Sequence, residues 1–338
     1  MKMKEKKNKF PAIIAVIIIV IVIIAVFKSM SVWEHKNSTV SAGDTEQTEQ
    51  TDDVDTVYYD GKLYAQRQDL ESVLIMGVDK YEDQTNDEGY SNNQQSDFIM
   101  LLVMDKTNNS YSVLHINRDT MTDIPTLDIY GDPSGSVYGQ LALAHTYGKG
   151  GNDSCRNSVK AVSNYLFGVN IDHYIALTMD AVPELNDLVG GVKVKLLDDF
   201  TKYYPEMTEG SELTLNGEEA LAYVRYRMDI GDSTNINRME RQRQYMLALK
   251  DKFAEKMNSD ENFMFNTIGI LSDYMVSDCT ADQLSNICNT CMADKDNGFV
   301  EIPGEAVKGE EYMEFYADED ELMKTVIDLF YEPYTETK

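Results

Sequence analysis

The sequence predicts a mixed-sheet α/β sandwich carried on one N-terminal membrane helix. Three observations lead there. From about residue 70 onward, short apolar runs alternate with segments of helical spacing, the pattern of strands interleaved with helices. An uncharged run rich in Ile and Val fills residues 10–27. Between the two, residues 37–55 are mostly Ser, Thr, Glu, Gln and Asp with almost no large apolar side chain, so they bury too little surface to fold and read as a stalk.

The uncharged run gives about 27 Å of helix, close to the hydrocarbon thickness of a bilayer. Lys2, Lys4, Lys6, Lys7 and Lys9 precede it, which keeps the N-terminus in the cytoplasm and sends the rest outside. The stretch Phe27–Trp33 has no small-residue cleavage site. A retained single-pass anchor is therefore expected, rather than a cleaved signal peptide. The expected division is a cytoplasmic tail (1–9), a transmembrane helix (10–27), an extracytoplasmic stalk (28–56), a main folded domain (57–256) and a C-terminal accessory segment (257–338).

Val73–Val78 is an apolar run ending at Asp79 and reads as a buried strand that delivers a carboxylate at its end. Residues 79–95 are polar and aperiodic, hence a loop. Phe98–Met104, preceded by Ser96-Asp97, reads as a second strand. A turn at residues 106–109 leads to a third, Tyr111–Ile116, which runs into Asn117-Arg118-Asp119-Thr120. Asn157–Phe167 is helical and stops at Gly168. Tyr174–Thr178 reads as a strand, Ala181–Leu188 as a short helix and Val192–Leu196 as an alternating strand. Gly217–Tyr223, Ile236–Lys256, Thr280–Met292 and Asp318–Tyr331 read as helices. The four cysteines, Cys155, Cys279, Cys288 and Cys291, include one CxxC with no second one to complete a zinc site, so buried thiols are the simpler reading.

The formal net charge is −28, which repels nucleic acid and anionic headgroups. Yet five of the chain's eight arginines lie between Arg225 and Arg243. Cations gathered inside an acidic protein imply a specific anion, and the guanidinium fork suits phosphate oxygens. Arg225 and Arg227 share a face if the backbone there is extended. Arg238 and Gln242, four apart at the start of a long helix, share a face too. The free N–H groups of that helix start favour an anion as well. The competing reading is a set of structural salt bridges. Asp79 and Asp97, each beside a strand end, are compatible with a cation between them and a phosphate or with ordinary turn capping.

Leu74–Asp79, Ser96–Leu101, Asn117–Met121, Ile171–Tyr174, Leu188–Val192, Leu215–Arg227 and Arg238–Gln242 occur in the order seen in LytR-CpsA-Psr proteins, and the chain resembles that family over about residues 71–256. The resemblance implies an α/β/α core and an extracytoplasmic phosphotransferase of Gram-positive envelopes. Such an enzyme moves a glycopolymer, teichoic acid or capsule, from an undecaprenyl-pyrophosphate carrier onto a peptidoglycan acceptor. Mg²⁺ and arginines hold the pyrophosphate, and the polyprenyl tail lies in an apolar channel. By motif position, Asp79 and Asp97 match the metal-ligand aspartates. Arg118, Arg225, Arg227 and Arg238 match the pyrophosphate-binding arginines, with Gln242 near them. Asp119 orients the motif arginine, and Asp97, Arg118 and Asp119 are the candidates for catalytic work. Two positions depart from the common pattern: Gln95 stands where many members carry Arg, and Asn235 where many carry Asp. The alternatives are a non-catalytic polyprenyl-lipid binder and a polyprenyl-pyrophosphate pyrophosphatase. A DNA-binding regulator is disfavoured, since no basic recognition helix is present and nine residues are cytoplasmic.

Overall fold

The computed structural model describes residues 56–79, 85–86, 89–90, 94–128, 130, 132–260, 263, 267, 270–293, 295–310 and 312–335. The expected cytoplasmic tail, the membrane helix at 10–27 and nearly all of the stalk lie outside the described residues. Among the described residues, no helix is long and apolar enough to cross a membrane.

A six-stranded mixed sheet forms the centre. Its order is Met275–Ser277, His173–Thr178, Leu70–Val78, Ser96–Asp105, Ser110–Ile116 and Lys295–Glu301. His173–Thr178 runs parallel to Leu70–Val78, and Lys295–Glu301 parallel to Ser110–Ile116; the other neighbours are antiparallel. Alternate residues of the inner strands feed two cores. Val73, Ile75, Met100, Leu102 and Val113 face the side covered by helices Ala181–Leu188, Gly217–Arg225, Asn235–Ser259 and Ala281–Ala293. Leu74, Met76, Ile99, Leu101 and Leu114 face helices Gly151–Tyr165 and Glu319–Phe330. Burial on both faces is why these strands read as unbroken apolar runs.

Three departures from the sequence reading concern the surroundings of the site. Residues 121–140 form an antiparallel hairpin, Met121–Leu127 with Pro133–Gln140, followed by a 3-10 turn at Leu141–Tyr147. Val192–Lys195 pairs with Glu212–Leu215 in a separate ribbon outside the central sheet. The segment after residue 256 is not an added layer: it supplies both edge strands of the central sheet. Its strand Tyr331–Pro333 also pairs with Lys62–Gln66. Cys155 and Cys279 are buried thiols outside any disulfide.

Candidate active site

The site lies where the central strands end. Leu70–Val78 and Ser96–Asp105 pair in register as far as Gly77↔Phe98, after which Val78 faces Ser96 and Asp97 is left over. Asp97 is thus the extra residue of a β-bulge, a device that turns a side chain out of the ladder. Asp79 follows immediately on the neighbouring strand, its N–H bonded to the Gln95 carbonyl at 3.3 Å. The two carboxylates therefore project from adjoining strand ends.

Strand Ser110–Ile116 delivers Asn117–Thr120 as a tight turn. Asn117 Oδ1 accepts the Asp119 N–H at 3.0 Å, and its carbonyl accepts from Thr120 Oγ1 at 2.6 Å. This aims Arg118 at Asp97, to whose Oδ1 Nη1 donates, and at Gln95 Oε1, to which Nη2 donates. Asp119 lies between two arginines: Oδ1 is 3.3 Å from Arg118 Nε, and Oδ2 accepts from Arg227 Nη1. Gln140 Nε2, from the unforeseen hairpin, donates to Asp119 Oδ1 at 2.9 Å. With both carboxylate oxygens so engaged, Asp119 orients arginines rather than offering a free base.

The helix Gly217–Arg225 starts in a capping box: Asn216 Oδ1 accepts the Glu219 N–H, and Glu219 returns a bond to Asn216 N–H. It ends at Arg225. Sequence reading expected Arg225 and Arg227 on one extended face, but Arg225 is the last helical residue and the chain becomes extended only at Tyr226. Both guanidiniums still reach the site, Arg225 Nη2 to Asp79 Oδ1 at 2.7 Å and Arg227 to Asp119. The helix Asn235–Ser259 brings in Arg238, whose Nη1 stands 3.4 Å from Asp97 Oδ1. Asn235 Oδ1 accepts from Arg238 Nε and Nη2, and Asn235 Nδ2 donates to Asn117 Oδ1 at 2.7 Å.

One ion-pair network holds Asp97, Arg118, Asp119, Arg227 and Arg238, and the Asp79–Arg225 pair joins it through the Arg225 carbonyl, which accepts from Arg238 Nη1 at 3.4 Å. Four guanidiniums face three carboxylates, which leaves a local positive excess in an acidic protein. Burial pushes the Arg238 pKa down to about 9, with Arg227 and Arg241 adding repulsion. Burial pushes Arg118 down to about 10, with Arg238 and Arg227 adding to it. Both remain charged at neutral pH, and an incoming anion relieves that strain.

Gln242 takes a different place from the one its spacing suggested. Its Nε2 donates to the Val224 carbonyl at 3.0 Å, and its buried Oε1 has no hydrogen-bond partner. It lines an apolar cavity of about 80 Å³ bounded by Ile75, Phe98, Leu185, Tyr245 and Leu249. Two of the cavity's lining residues, Phe98 and Val224, are the chain neighbours of Asp97 and Arg225.

Arg241 and Arg243 stand outside the anion site. Arg241 is completely buried and structural. Nε donates to the Tyr223 carbonyl at 3.0 Å, Nη1 to Asp198 Oδ2 at 2.6 Å, and Nη2 to the Tyr226 carbonyl. It clamps the segment that presents Arg225 and Arg227. Gly231, at φ +54°, lets that segment pass where a Cβ would lie 2.5 Å from Asp198 Oδ1. Arg243 pairs with Glu301 on an edge strand at 2.7 Å. Sequence reasoning missed Asn117, Gln140, Asp198 and Arg241 as supports. Only Gln95 and Asn235 carried a signal, as departures from the family pattern.

The LytR_cpsA_psr family model matches residues 29–328. A polyisoprenyl-teichoic acid–peptidoglycan teichoic acid transferase, TagU of Enterococcus faecalis, is 28% identical over 243 residues, 72% of this chain and 71% of that one. The TagU of Halalkalibacterium halodurans is 32% identical over 189 residues, 56% of this chain and just over half of that one, 55%. The crystal structure of Bacillus subtilis TagU superposes with a TM-score of 0.52 at 24% identity, covering 78% of this chain and 96% of that chain, a likeness of fold.

Proposed function

Since the chain belongs to the LytR-CpsA-Psr family, we propose that it transfers an anionic glycopolymer, of teichoic acid or capsule type, from an undecaprenyl-pyrophosphate carrier to peptidoglycan. The observation that carries this is an apolar cavity set beside a cluster of four arginines: its lining residues Phe98 and Val224 adjoin Asp97 and Arg225 in the chain, the polarity of a diphosphate head on a lipid tail. The related transferases act, by name, between polyisoprenyl-teichoic acid and peptidoglycan. The lysine block and the uncharged run at 10–27 support a membrane-anchored enzyme with its site outside the cell.

In this reading Arg118 and Arg238, fixed by Gln95 and Asn235, bind the diphosphate oxygens from below, and Arg225 and Arg227 close on it from the helix end. A peptidoglycan hydroxyl attacks the phosphorus bearing the polymer. A new O–P bond forms, the bridging P–O bond breaks, the hydroxyl proton is lost and undecaprenyl phosphate leaves. The arginines stabilise charge on the transferring and leaving oxygens, each well-placed donor contributing about 3 kcal/mol in the transition state. Asp79 and Asp97 form an all-oxygen donor pair at adjoining strand ends and would hold Mg²⁺, a cation that prefers oxygen donors. Bound there, Mg²⁺ supplies further neutralisation of diphosphate charge.

The test is the purified full chain in detergent with Mg²⁺, a polymer-labelled undecaprenyl-pyrophosphate donor and peptidoglycan. Label is expected to enter peptidoglycan with matching release of undecaprenyl phosphate. Release of polymer phosphate to water regardless of peptidoglycan identifies a pyrophosphatase instead. Stoichiometric donor binding without turnover identifies a binding scaffold.

A further inference from the structure

A second concavity, of about 610 Å³, shares no lining residue with the apolar cavity. It is bordered by the hairpin Met121–Leu127/Pro133–Gln140, by the strand Met313–Ala317 and by the start of helix Glu319–Phe330. Three aromatic rings face it from solvent-exposed positions: Tyr138 at 57%, Phe167 at 47% and Tyr316 at 42% exposure. Phe167 is held at φ +58°, a left-handed backbone that a bulky residue seldom adopts. Tyr316 is fixed by its hydroxyl, which donates to Glu314 at 2.6 Å. The polar lining is acidic, with Asp123, Glu319 and Asp320, and no basic residue lines the groove among the described residues.

We propose that this groove is the acceptor subsite and binds a neutral N-acetylated glycan strand; the proposal rests on the transfer reaction given above. Two properties select that occupant. Exposed, pre-set aromatic faces pack on the C–H faces of sugar rings, and carboxylates accept hydroxyl and acetamido hydrogens. The acidic lining repels a phosphate-rich polymer, so the donor's glycopolymer is excluded from it. The wall of the groove is also joined to the arginine site through the backbone. Met121 and Thr122, which line it, follow Asp119 after one residue, Thr120. Thr120 bridges to Phe315, the residue before Tyr316, and Phe315 N–H bonds to the Asp119 carbonyl at 2.9 Å. Two strand residues span about 7 Å, so a sugar bound against Met121 can present a hydroxyl beside the Arg118–Asp119 pair.

The experiment uses the full chain in detergent and three probes: an N-acetylglucosamine tetramer, a glycerol-phosphate oligomer and inorganic pyrophosphate. Binding is read by ligand-observed NMR and calorimetry. Tyr138→Ala and Tyr316→Ala, both at exposed positions, are expected to weaken tetramer binding at least tenfold. Tyr316→Phe, which keeps the ring, is expected to stay within threefold of the parent. Pyrophosphate affinity is expected to be unchanged in all three. Parent-like tetramer binding by the Tyr138→Ala/Tyr316→Ala double variant overturns the proposal, as does absence of tetramer binding to the parent. Glycerol-phosphate binding that is lost in the double variant also overturns it. Failure of the transfer reading shows elsewhere, as pyrophosphate binding that ignores Arg225→Lys.

Discussion

Asn235 Oδ1 receives both the Nε and the Nη2 of Arg238, at 2.9 and 2.5 Å. A neutral amide thus holds a guanidinium at the position where the family resemblance implies an aspartate. Across the pocket, Gln95 receives Arg118 where the same resemblance implies an arginine. Against that pattern one acid and one base are absent together, so the two positions keep the same net charge.

That compensation predicts a coupled pair. Asn235→Asp alone is expected to weaken pyrophosphate binding about tenfold, or ~1.4 kcal/mol, by neutralising Arg238. Gln95→Arg in the same chain is expected to restore most of the loss. Calorimetry on the two single variants and the double variant checks this. If the double variant stays as weak as Asn235→Asp, the loss came from the broken Asn235–Asn117 hydrogen bond and not from charge.

Asp97 contacts Arg118 and Arg238 and is proposed to hold Mg²⁺ as well. Asp97→Asn is expected to abolish transfer and to make pyrophosphate binding indifferent to Mg²⁺. Titration with and without EDTA measures it. A Mg²⁺ response equal to the parent's would limit Asp97 to holding arginines.

Arg225→Lys and Arg227→Lys are each expected to lower donor affinity roughly tenfold or more, because a point charge cannot reproduce the bidentate fork. Arg243→Lys, at the Glu301 ion pair, is expected to be silent in the same donor-binding and transfer assays. Equal behaviour of the three would make the cluster structural.

Arg241 predicts a stability effect instead. Its removal leaves Asp198 buried without its cation. Arg241→Met is expected to cost about 3–5 kcal/mol in urea unfolding. Arg243→Met serves as the exposed comparison, with an effect of about 1 kcal/mol or less.

His115 predicts the acid limb. Burial pushes its pKa down to about 3, with Arg243 and Arg238 adding repulsion, and its ring packs 5.0 Å from that of Phe98. The folded form is depressed below the unfolded value of 6.5, so the unfolded chain takes up the proton first. Stability is full above pH 6.5 and falls between 6.5 and about 3. Between pH 6 and 5, before most carboxylates titrate, His115→Phe is expected to flatten this loss by about 1.4 kcal/mol per pH unit. His145, pushed to about 4 by burial, accounts for what remains. An unchanged slope in chemical denaturation across that window would remove His115 from the account.

The inner strands were legible because both faces are buried, so Val73–Val78 and Phe98–Met104 are apolar at every position. The edge strand Lys295–Glu301 was not: Lys-Asp-Asn-Gly interrupts it, and it pairs on one side only, with a register break between Asp296 and Phe299. The hairpin 121–140 escaped for a related reason. Residues 133–138 are exposed throughout and have no core face to set a period. Of the site, the arginine cluster stood out against the acidic background. The different fates of Arg238 and Arg241, one paired with Asp97 and Asn235 in the site and the other clamping carbonyls, depend on packing three residues apart, which composition does not encode.

The two edge strands from beyond residue 256 act as closing staves. A chain cut after the long helix would leave His173–Thr178 and Ser110–Ile116 as bare, apolar borders. Each would offer unpaired amides to any passing strand. The usual economy of trimming an enzyme to its motif-bearing portion is therefore closed to this protein: the shortened chain would seek a partner, and the nearest would be another copy of itself.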